Sequence, residues 1–291
     1  MGNQQIENLY ETINKLRGVP GWELREDEGF LALKAPVAEP LLNYVWAAAT
    51  APHITLAKAF YEDQAFTWVL DQPGDATLRA AGFQDAESAP DMAFELEDYA
   101  FPGYGPGITV IRTYSTADFH FWASTAGEAL GLDVDLLKAF FLPLVREAGY
   151  VPFLAFHDGR PAATAMLFPA TRTAGIYAVG TREPFRRLGL GHAVIHACLQ
   201  LARDRGMARV VLSSSAMGLH LYQKLGFHTE RTVWEYLYRP APLGPDSDLA
   251  ADDRSQWPGG GTPRHLSGAR HPGDLPCAPH GFGQPGRGGS G

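Results

Sequence analysis

Hydrophobic and polar positions follow two periods along residues 108–238, and these periods predict strands and helices. Strands are predicted where apolar residues alternate or form short runs, at residues 108–113, 153–156, 162–168, 176–179, 210–212 and 232–238. Helices are predicted where apolar residues recur every three or four positions, at residues 117–130, 133–148, 191–205 and 219–225. The pattern predicts a mixed α/β or α+β domain, in which helices flank a central and mostly antiparallel sheet.

The first hundred residues repeat this plan in a weaker form. The elements predicted there are a hairpin at residues 24–34, a strand at 43–47, a helix at 54–61 and strands at 66–70 and 92–96. The pair Gly82-Phe83 echoes Gly226-Phe227 at the matching position of the second block. Internal duplication is the simplest interpretation, so the sequence predicts two domains of one fold in tandem.

Two changes of composition divide the chain. Five of the seven residues Phe101-Pro102-Gly103-Tyr104-Gly105-Pro106-Gly107 are glycine or proline, so neither a helix nor a strand should cross them. From residue 240 onward, 12 glycines and 9 prolines occupy 21 of the 52 positions. Too few apolar residues remain there to offset the entropy of ordering, so we predict that this segment is disordered. The predicted organisation is a first domain at 1–102, a second domain at 107–239 and a disordered tail at 240–291.

Composition argues against several classes of protein. The chain has 291 residues, of which 45% are hydrophobic and 19% are charged, and these values are typical of a folded globular protein. A net charge of −8 argues against a nucleic-acid partner, and no apolar stretch is long enough to span a membrane. The two cysteines, Cys198 and Cys277, cannot form a disulfide framework, and no His/Cys grouping has the spacing of metal ligands. We therefore expect a cytoplasmic protein without a bound metal.

The segment Arg186-Arg187-Leu188-Gly189-Leu190-Gly191-His192 lies between a predicted strand and a predicted helix. Glycines two positions apart let backbone N–H groups converge, and the start of the helix adds unpaired N–H donors and the positive end of its dipole. These features, with the two arginines, predict a pyrophosphate site. The Lys-Ser/Thr pair of a P-loop is missing, and only the Gly-x-Gly part of a dinucleotide fingerprint is present. A Gly-rich turn before a helix is the alternative interpretation.

The order of motifs around this segment resembles the GNAT superfamily of acyl-CoA-dependent N-acyltransferases. An apolar strand precedes Arg186-x-x-Gly189-x-Gly191, and a helix, a strand and the run Leu221-Tyr222-Gln223-Lys224-Leu225-Gly226-Phe227 follow it. The run Ser214-Ser215-Ala216-Met217-Gly218 before Tyr222 is also similar to one that is common in the superfamily. The resemblance covers residues 108–238.

The first block is similar in plan to this superfamily but lacks the loop. Thr50-Ala51-Pro52-His53 stands where the Arg-x-x-Gly-x-Gly segment is expected, and Leu78 stands at the position that matches Tyr222. We interpret the first block as a degenerate GNAT-like domain that does not bind acyl-CoA. It covers a wall of the acceptor cleft, forms an interface or has a purely structural role.

The resemblance implies how the second domain would hold acetyl-CoA, its co-substrate. Strands 176–179 and 210–212 would splay apart, and the backbone of Val179 and Thr181 would pair with the pantetheine arm between them. The donors to the pyrophosphate would be the backbone N–H groups of Arg187, Leu188, Gly189, Leu190, Gly191 and His192, while Arg186 would support the loop or a phosphate oxygen. The side chain of His192 is better interpreted as a solvated or capping group.

Tyr222 is the side chain that the resemblance places at the chemical step. When an amine attacks a thioester, the leaving thiolate needs a proton, and a tyrosine hydroxyl with a pKa of about 10 can donate one. The alternative is a half-buried tyrosine that packs on an amphipathic helix. The general base stays open, since Glu128, Asp118 and Glu183 lie in suitable segments but no motif marks them.

The expected activity is transfer of an acetyl group from acetyl-CoA to a primary amine of a small molecule or peptide, by direct attack in a ternary complex. The alternative is a non-catalytic module that binds acyl-CoA or a protein partner without turnover. Tyr222 favours the enzyme, and the lack of an obvious base leaves the module open. The acceptor amine is undetermined, and so is whether the protein forms a homodimer.

Overall fold

The computed structural model describes residues 4–240, apart from the side chains of residues 4–7, 9, 10 and 85–87. The first block contains α1 (Gln4–Leu16), β1 (Glu23–Asp27), β2 (Phe30–Lys34), β3 (Tyr44–Ala47), α2 (Ala51–Tyr61), β4 (Phe66–Leu70), α3 (Ala76–Ala80) and β5 (Gln84–Glu95). The second block contains β6 (Ile108–Arg112), α4 (Thr116–Leu130), α5 (Val134–Pro143), β7 (Val151–His157), β8 (Arg160–Pro169), β9 (Thr173–Thr181), α6 (Leu190–Asp204), β10 (Arg209–Ser213), α7 (Leu219–Leu225) and β11 (His228–Tyr238). Every strand and helix predicted above is present. The predicted disordered tail lies outside the described residues, except for Pro240.

Short polar signals set the ends of these elements. The carboxylate of Asp133 accepts hydrogen bonds from the N–H groups of Asp135 and Leu136, both at 2.9 Å, and so caps α5. The turn between β7 and β8 has positive φ at Asp158 (47°) and Gly159 (77°), which suits a two-residue hairpin loop. Such local capping explains why the sequence pattern located these elements well.

All the strands of the described chain join one sheet of eleven, in the order β1-β2-β3-β4-β11-β5-β10-β9-β8-β7-β6. Only the pairs β3–β4 and β9–β10 are parallel. This arrangement confirms the predicted mixed and mostly antiparallel sheet. The two blocks exchange their last strands, because β5 lies between β10 and β11 while β11 lies between β4 and β5. The segment 101–107 therefore does not separate two independent sheets.

Helices cover the two faces of this sheet. On the first face, α6 and α7 pack on a core that includes Val194, Leu212, Met92 and Tyr222, and α2 packs on a second core around Trp68. On the opposite face, α1, α4 and α5 pack on a third core that joins both blocks. We call these the α6 face and the α4 face.

Helix α1 was not predicted from the sequence. Its buried residues Ile13 and Leu16 pack in the core of the α4 face, and Asn8 is fully buried against β9. The Tyr177 hydroxyl donates to Asn8 Oδ1 at 2.7 Å, and Asn8 Nδ2 donates to the carbonyl of Thr173 at 3.3 Å. The N-terminal helix thus packs directly on the second block.

Candidate functional site

A gap opens between the parallel strands β9 and β10. Their pairing runs from Thr173–Arg209 to Gly175–Val211 and then stops, although β9 continues to Thr181 and β10 to Ser213. Two strands that part leave unpaired backbone groups along both edges, and an extended ligand can bind them as an added strand does. The gap lies where the resemblance implies that the strands splay.

A bulge in β9 turns its backbone at the gap. The register between β8 and β9 shifts after Tyr177, and Ala178 has a φ of +49°, which is uncommon for a residue with a Cβ. Beyond the bulge, the N–H of Arg182 donates to the carbonyl of Ala162 on β8 at 2.9 Å. Because backbone groups alternate along a strand, Val179 and Thr181 direct theirs to the edge that borders the gap.

The loop before α6 brings several backbone donors together beside the gap. Arg187 and Gly189 both have positive φ, +64° and +86°, and Gly189 is the N-cap of α6 without any capping side chain. The N–H groups of Leu190, Gly191 and His192 therefore have no partner within the helix. Arg186 Nε donates to the carbonyl of Thr181 at 3.3 Å, which ties the loop to the end of β9.

Glycine is required at positions 189 and 191 of the loop for different structural reasons. A Cβ on Gly189 would meet little, 3.7 Å from Ile108, but the φ of +86° strains any other residue. A Cβ on Gly191 would lie 3.1 Å from Leu221 Cδ2, so Gly191 allows α6 and α7 to approach closely. Leu188, which precedes Gly189, is exposed, and Leu190, which lies between the two glycines, is buried. The loop therefore has a conformation that its own sequence specifies.

His192 lies in the first turn of α6, on the side of Lys224. Burial lowers the pKa of His192, and the Lys224 ammonium group lowers it further. Both effects favour a neutral imidazole near pH 7. His192 is therefore a partly buried neighbour of the loop. The group that it offers most clearly to a ligand is its backbone N–H.

Tyr222 is a residue of α7, and its side chain packs in the core of the α6 face. The side chain is 7% exposed and packs edge to face on Phe227, with ring centroids 5.7 Å apart. Its hydroxyl makes no hydrogen bond to any residue in the described part of the chain. Burial raises the pKa of Tyr222 well above its usual value, and the nearby Cys198 adds to this. The phenol is thus a neutral donor at pH 7.

The candidate bases are placed less favourably. Asp118 forms a capping box with Ser115 at the start of α4, and these hydrogen bonds lower its pKa. Glu128 pairs with Arg182 at 2.7 Å. Glu183 opens the short helical turn Glu183–Phe185. Asp118 is therefore explained by a structural role.

An acidic group that no motif in the sequence marks, Asp91, lies on β5 next to the end of β10. This side chain is 3% exposed, and it accepts hydrogen bonds from Ser213 Oγ and from Arg231 Nε, the latter at 2.8 Å. Burial raises the pKa of Asp91, and the bonds to Ser213 and Arg231 oppose that rise. The only signal in the sequence was an aspartate directly before the apolar run Met92-Ala93-Phe94 of β5.

In the first block, the corresponding parallel strands β3 and β4 stay paired as far as Trp46–Val69, one residue from the end of each strand. Trp68 Nε1 donates to the carbonyl of Ala47 at 2.8 Å and so occupies a backbone acceptor at the end of β3. Helix α2 is capped by the Thr50 side chain, which accepts from the N–H of His53 at 3.4 Å, and Pro52 lacks an N–H. These features differ from the uncapped start of α6.

Within residues 4–240, no helix is both long and apolar enough to cross a membrane. In the same range, no group of three or more His, Cys, Asp or Glu side chains is arranged to hold a metal ion. Cys198 is fully buried and burial raises its pKa, which disfavours the reactive thiolate.

Comparison with known sequences finds a family model that matches the second block and several curated relatives. Residues 115–227 match the sequence model of the Acetyltransferase (GNAT) family. A mycothiol acetyltransferase from Cellulomonas flavigena is 34% identical over 79 residues, which are 26% of this chain and 22% of that protein. A glucosamine 6-phosphate N-acetyltransferase from Trypanosoma brucei brucei is 36% identical over 91 residues, 28% of this chain and 62% of that protein. The chain thus spans less than two thirds of the length of these curated relatives.

Comparison with solved structures extends over both blocks. A GCN5-related N-acetyltransferase from Kribbella flavida aligns with a TM-score of 0.62 at 22% identity, covering 82% of this chain and 97% of that one. A tandem GNAT protein from the clavulanic acid biosynthesis pathway aligns with a TM-score of 0.55 at 13% identity, covering 80% and 88%. The likeness confirms the predicted fold class, and the tandem arrangement resembles that of the second protein.

Proposed function

We propose that the protein transfers an acetyl group from acetyl-CoA to a primary amine of a small molecule or peptide. Residues 115–227 match the sequence model of the Acetyltransferase (GNAT) family, which uses acyl-CoA donors, and this match supports the proposal. The two curated relatives described above are named for acetyl transfer, one of them to glucosamine 6-phosphate. A small amine or amino sugar is therefore a natural first acceptor to test.

The observation that carries this proposal is the uncapped start of α6 beside the gap between β9 and β10. A pyrophosphate needs several converging N–H donors and a positive potential, and the N-terminus of α6 supplies both. In our proposal the N–H groups of Arg187 to His192 bind the pyrophosphate, and Arg186 holds the loop through the carbonyl of Thr181. The residues that are present fit this ligand, since Gly189 at the N-cap has no side chain to cap the N–H groups of the first turn of α6.

The gap then receives the pantetheine arm. Val179 and Thr181 present backbone groups along its β9 edge, so the arm can pair with them as an extra strand. This binding would place the thioester near the end of β10, with the amine acceptor approaching from the α4 face. Tyr222 on the α6 face would donate its proton to the sulfur as the C–S bond breaks.

A thiol-release assay tests this proposal against the non-catalytic module. Acetyl-CoA is incubated with the full chain and, in turn, with polyamines, aminoglycosides, amino sugars, amino acids and peptides. Release of CoA that depends on one amine class, with the acetylated product seen by mass spectrometry, is the expected result. Binding of CoA by calorimetry without release on any amine would favour the module.

Replacing Gly189 with valine should raise the dissociation constant of acetyl-CoA tenfold or more, about 1.4 kcal/mol. The φ of +86° at Gly189 disfavours a β-branched residue, so the N–H groups of the loop would move out of register. Isothermal calorimetry on the folded variant measures the effect. Gly206→Val is the matched control, because Gly206 has a φ of +73° and open space but lies beyond the end of α6. Equal affinity in the Gly189 and Gly206 variants would remove the loop from the site.

A further inference from the structure

The exchanged strand β5 brings a carboxylate of the first block to the end of β10 in the second block. Asp91 pairs with Ser213 in the register between these strands, and the Ser213 hydroxyl donates to Asp91 Oδ1. Ser213 is the last residue of β10, two positions beyond Val211, where the pairing with β9 stops. The Ser213–Asp91 pair therefore lies beside the gap.

Alternation along the strands places this pair on the α4 face. Leu212 and Met92 pack in the same core as Tyr222, so their neighbours Ser213 and Asp91 point to the opposite side of the sheet. Tyr177 of β9, which precedes the bulge, packs on the α4 face as well. The Asp91 carboxylate and the Tyr222 phenol thus lie on opposite faces of the sheet.

The burial of these two side chains differs sharply. Asp91 is 3% exposed and Ser213 is exposed, so the hydrogen bond between them links a buried carboxylate to a residue that solvent reaches. Asp91 Oδ2 is held by Arg231 Nε at 2.8 Å, and Arg231 Nη1 binds Asp71 at 2.7 Å. Arg231 therefore fixes the carboxylate in an orientation that aims Oδ1 at Ser213. A hydroxyl that donates to a carboxylate can accept a proton with its own lone pair.

We infer that Ser213 and Asp91 form the relay that removes the proton from the attacking amine. As the neutral amine nitrogen bonds to the acetyl carbon, one of its protons passes to Ser213 Oγ, and the Ser213 proton passes to Asp91. The C–S bond breaks, and the sulfur takes its proton from Tyr222. Asp91 then releases its proton to water, and Tyr222 regains one from water. This inference rests on the proposed function, and it assigns the missing base to the otherwise degenerate first block.

The charged and titratable groups that face Asp91 set the pH range of the relay. They are Arg231 on β11, Asp71 after β4 and Tyr177 on β9. Burial raises the pKa of Asp91, whereas Ser213 and Arg231 lower it. Asp91 accepts a proton only while it is ionised, so turnover should decline as the pH falls through this pKa. The amine titrates too, and taking the ratio of wild type to variant at each pH cancels that contribution.

The test compares four variants of the full chain with the acceptor found by the thiol-release assay. Asp91→Asn keeps the shape of the carboxyl group but cannot take up the proton, and Ser213→Ala removes the hydroxyl. Ser213→Thr restores a hydroxyl, and Asp71→Asn disturbs the same arginine without touching Ser213. Steady-state rates from pH 5 to 9, the dissociation constant of acetyl-CoA and the melting temperature are measured for each.

The expected result is a fall in kcat of roughly tenfold to a hundredfold for Asp91→Asn and Ser213→Ala, with acetyl-CoA affinity unchanged. The acid decline of the wild type should be absent from Asp91→Asn, and Ser213→Thr and Asp71→Asn should retain turnover within a few-fold. If Asp91→Asn does not fold, Ser213→Ala, with its exposed side chain, carries the test alone. Full turnover in Ser213→Ala, or an equal loss in Asp71→Asn, would overturn the inference while the proposed function stood. No amine-dependent release by the wild type would remove both.

Discussion

A chain of residues 107–239, expressed without residues 1–106, should fail to reach a cooperative fold. Strand β5 lies between β10 and β11 and pairs with both, so the fragment has no strand that joins these two. Strand β11 also loses β4 on its other side. Helix α1 leaves the core of the α4 face at the same time. A domain is normally stable by only about 5–15 kcal/mol, so the loss of these pairings and of this packing should unfold the fragment. Near-ultraviolet circular dichroism and calorimetry should show no sharp unfolding transition.

The matched control is the full chain with a protease site in the exposed segment 101–107. Cleavage there breaks one peptide bond but keeps β5 between β10 and β11, so the two pieces should stay together through gel filtration and melt as one unit. A soluble 107–239 fragment that melts cooperatively near the temperature of the full chain would contradict the prediction.

Replacing Tyr222 with phenylalanine should lower kcat by roughly a hundredfold, while the dissociation constant of acetyl-CoA hardly changes. The phenyl ring keeps the edge-to-face contact with Phe227 but has no proton for the departing sulfur. Because burial raises the pKa of Tyr222, the phenol stays protonated across the pH range of the assay. Single-turnover rates with saturating acetyl-CoA measure the chemical step directly.

Tyr222→Ala separates the chemical role from packing. Removing the buried ring should destabilise the fold by a few kcal/mol, which the phenylalanine variant should not do. If Tyr222 only fills the core, the phenylalanine variant will be fully active and the alanine variant will show a lower melting temperature. That result would end the assignment of Tyr222 as the general acid.

The sequence predicted the local elements because their signals are local. Capping by Asp133 and the turn at Asp158-Gly159 act within a few residues, and the structure contains both. Helix α1, which was not predicted, has such a local signal too, since Ile6, Leu9, Ile13 and Leu16 recur at helical spacing. The loop before α6 was found because its glycines and arginines are contiguous.

The strand exchange could not be predicted from the same signals. An apolar alternation shows that β5 and β11 are strands, but it does not identify the neighbour of each strand. The role of Asp91 depends on that choice, because its partners Ser213 and Arg231 are 122 and 140 residues away. Bases supplied through distant strands leave no spacing motif, so the sequence offered only carboxylates of the second block as candidates.

The central position of β11 has a consequence for how this protein is made. The ribosome adds roughly 5–20 residues per second, so β4 leaves it many seconds before β11, the strand that pairs with its second edge. During that interval the edges of β4 and β5 are unpaired, and exposed strand edges promote aggregation. Formation of the sheet depends on contacts between distant parts of the chain, which slows folding. Chaperones that shield strand edges should therefore raise the yield of folded protein more than slower translation does.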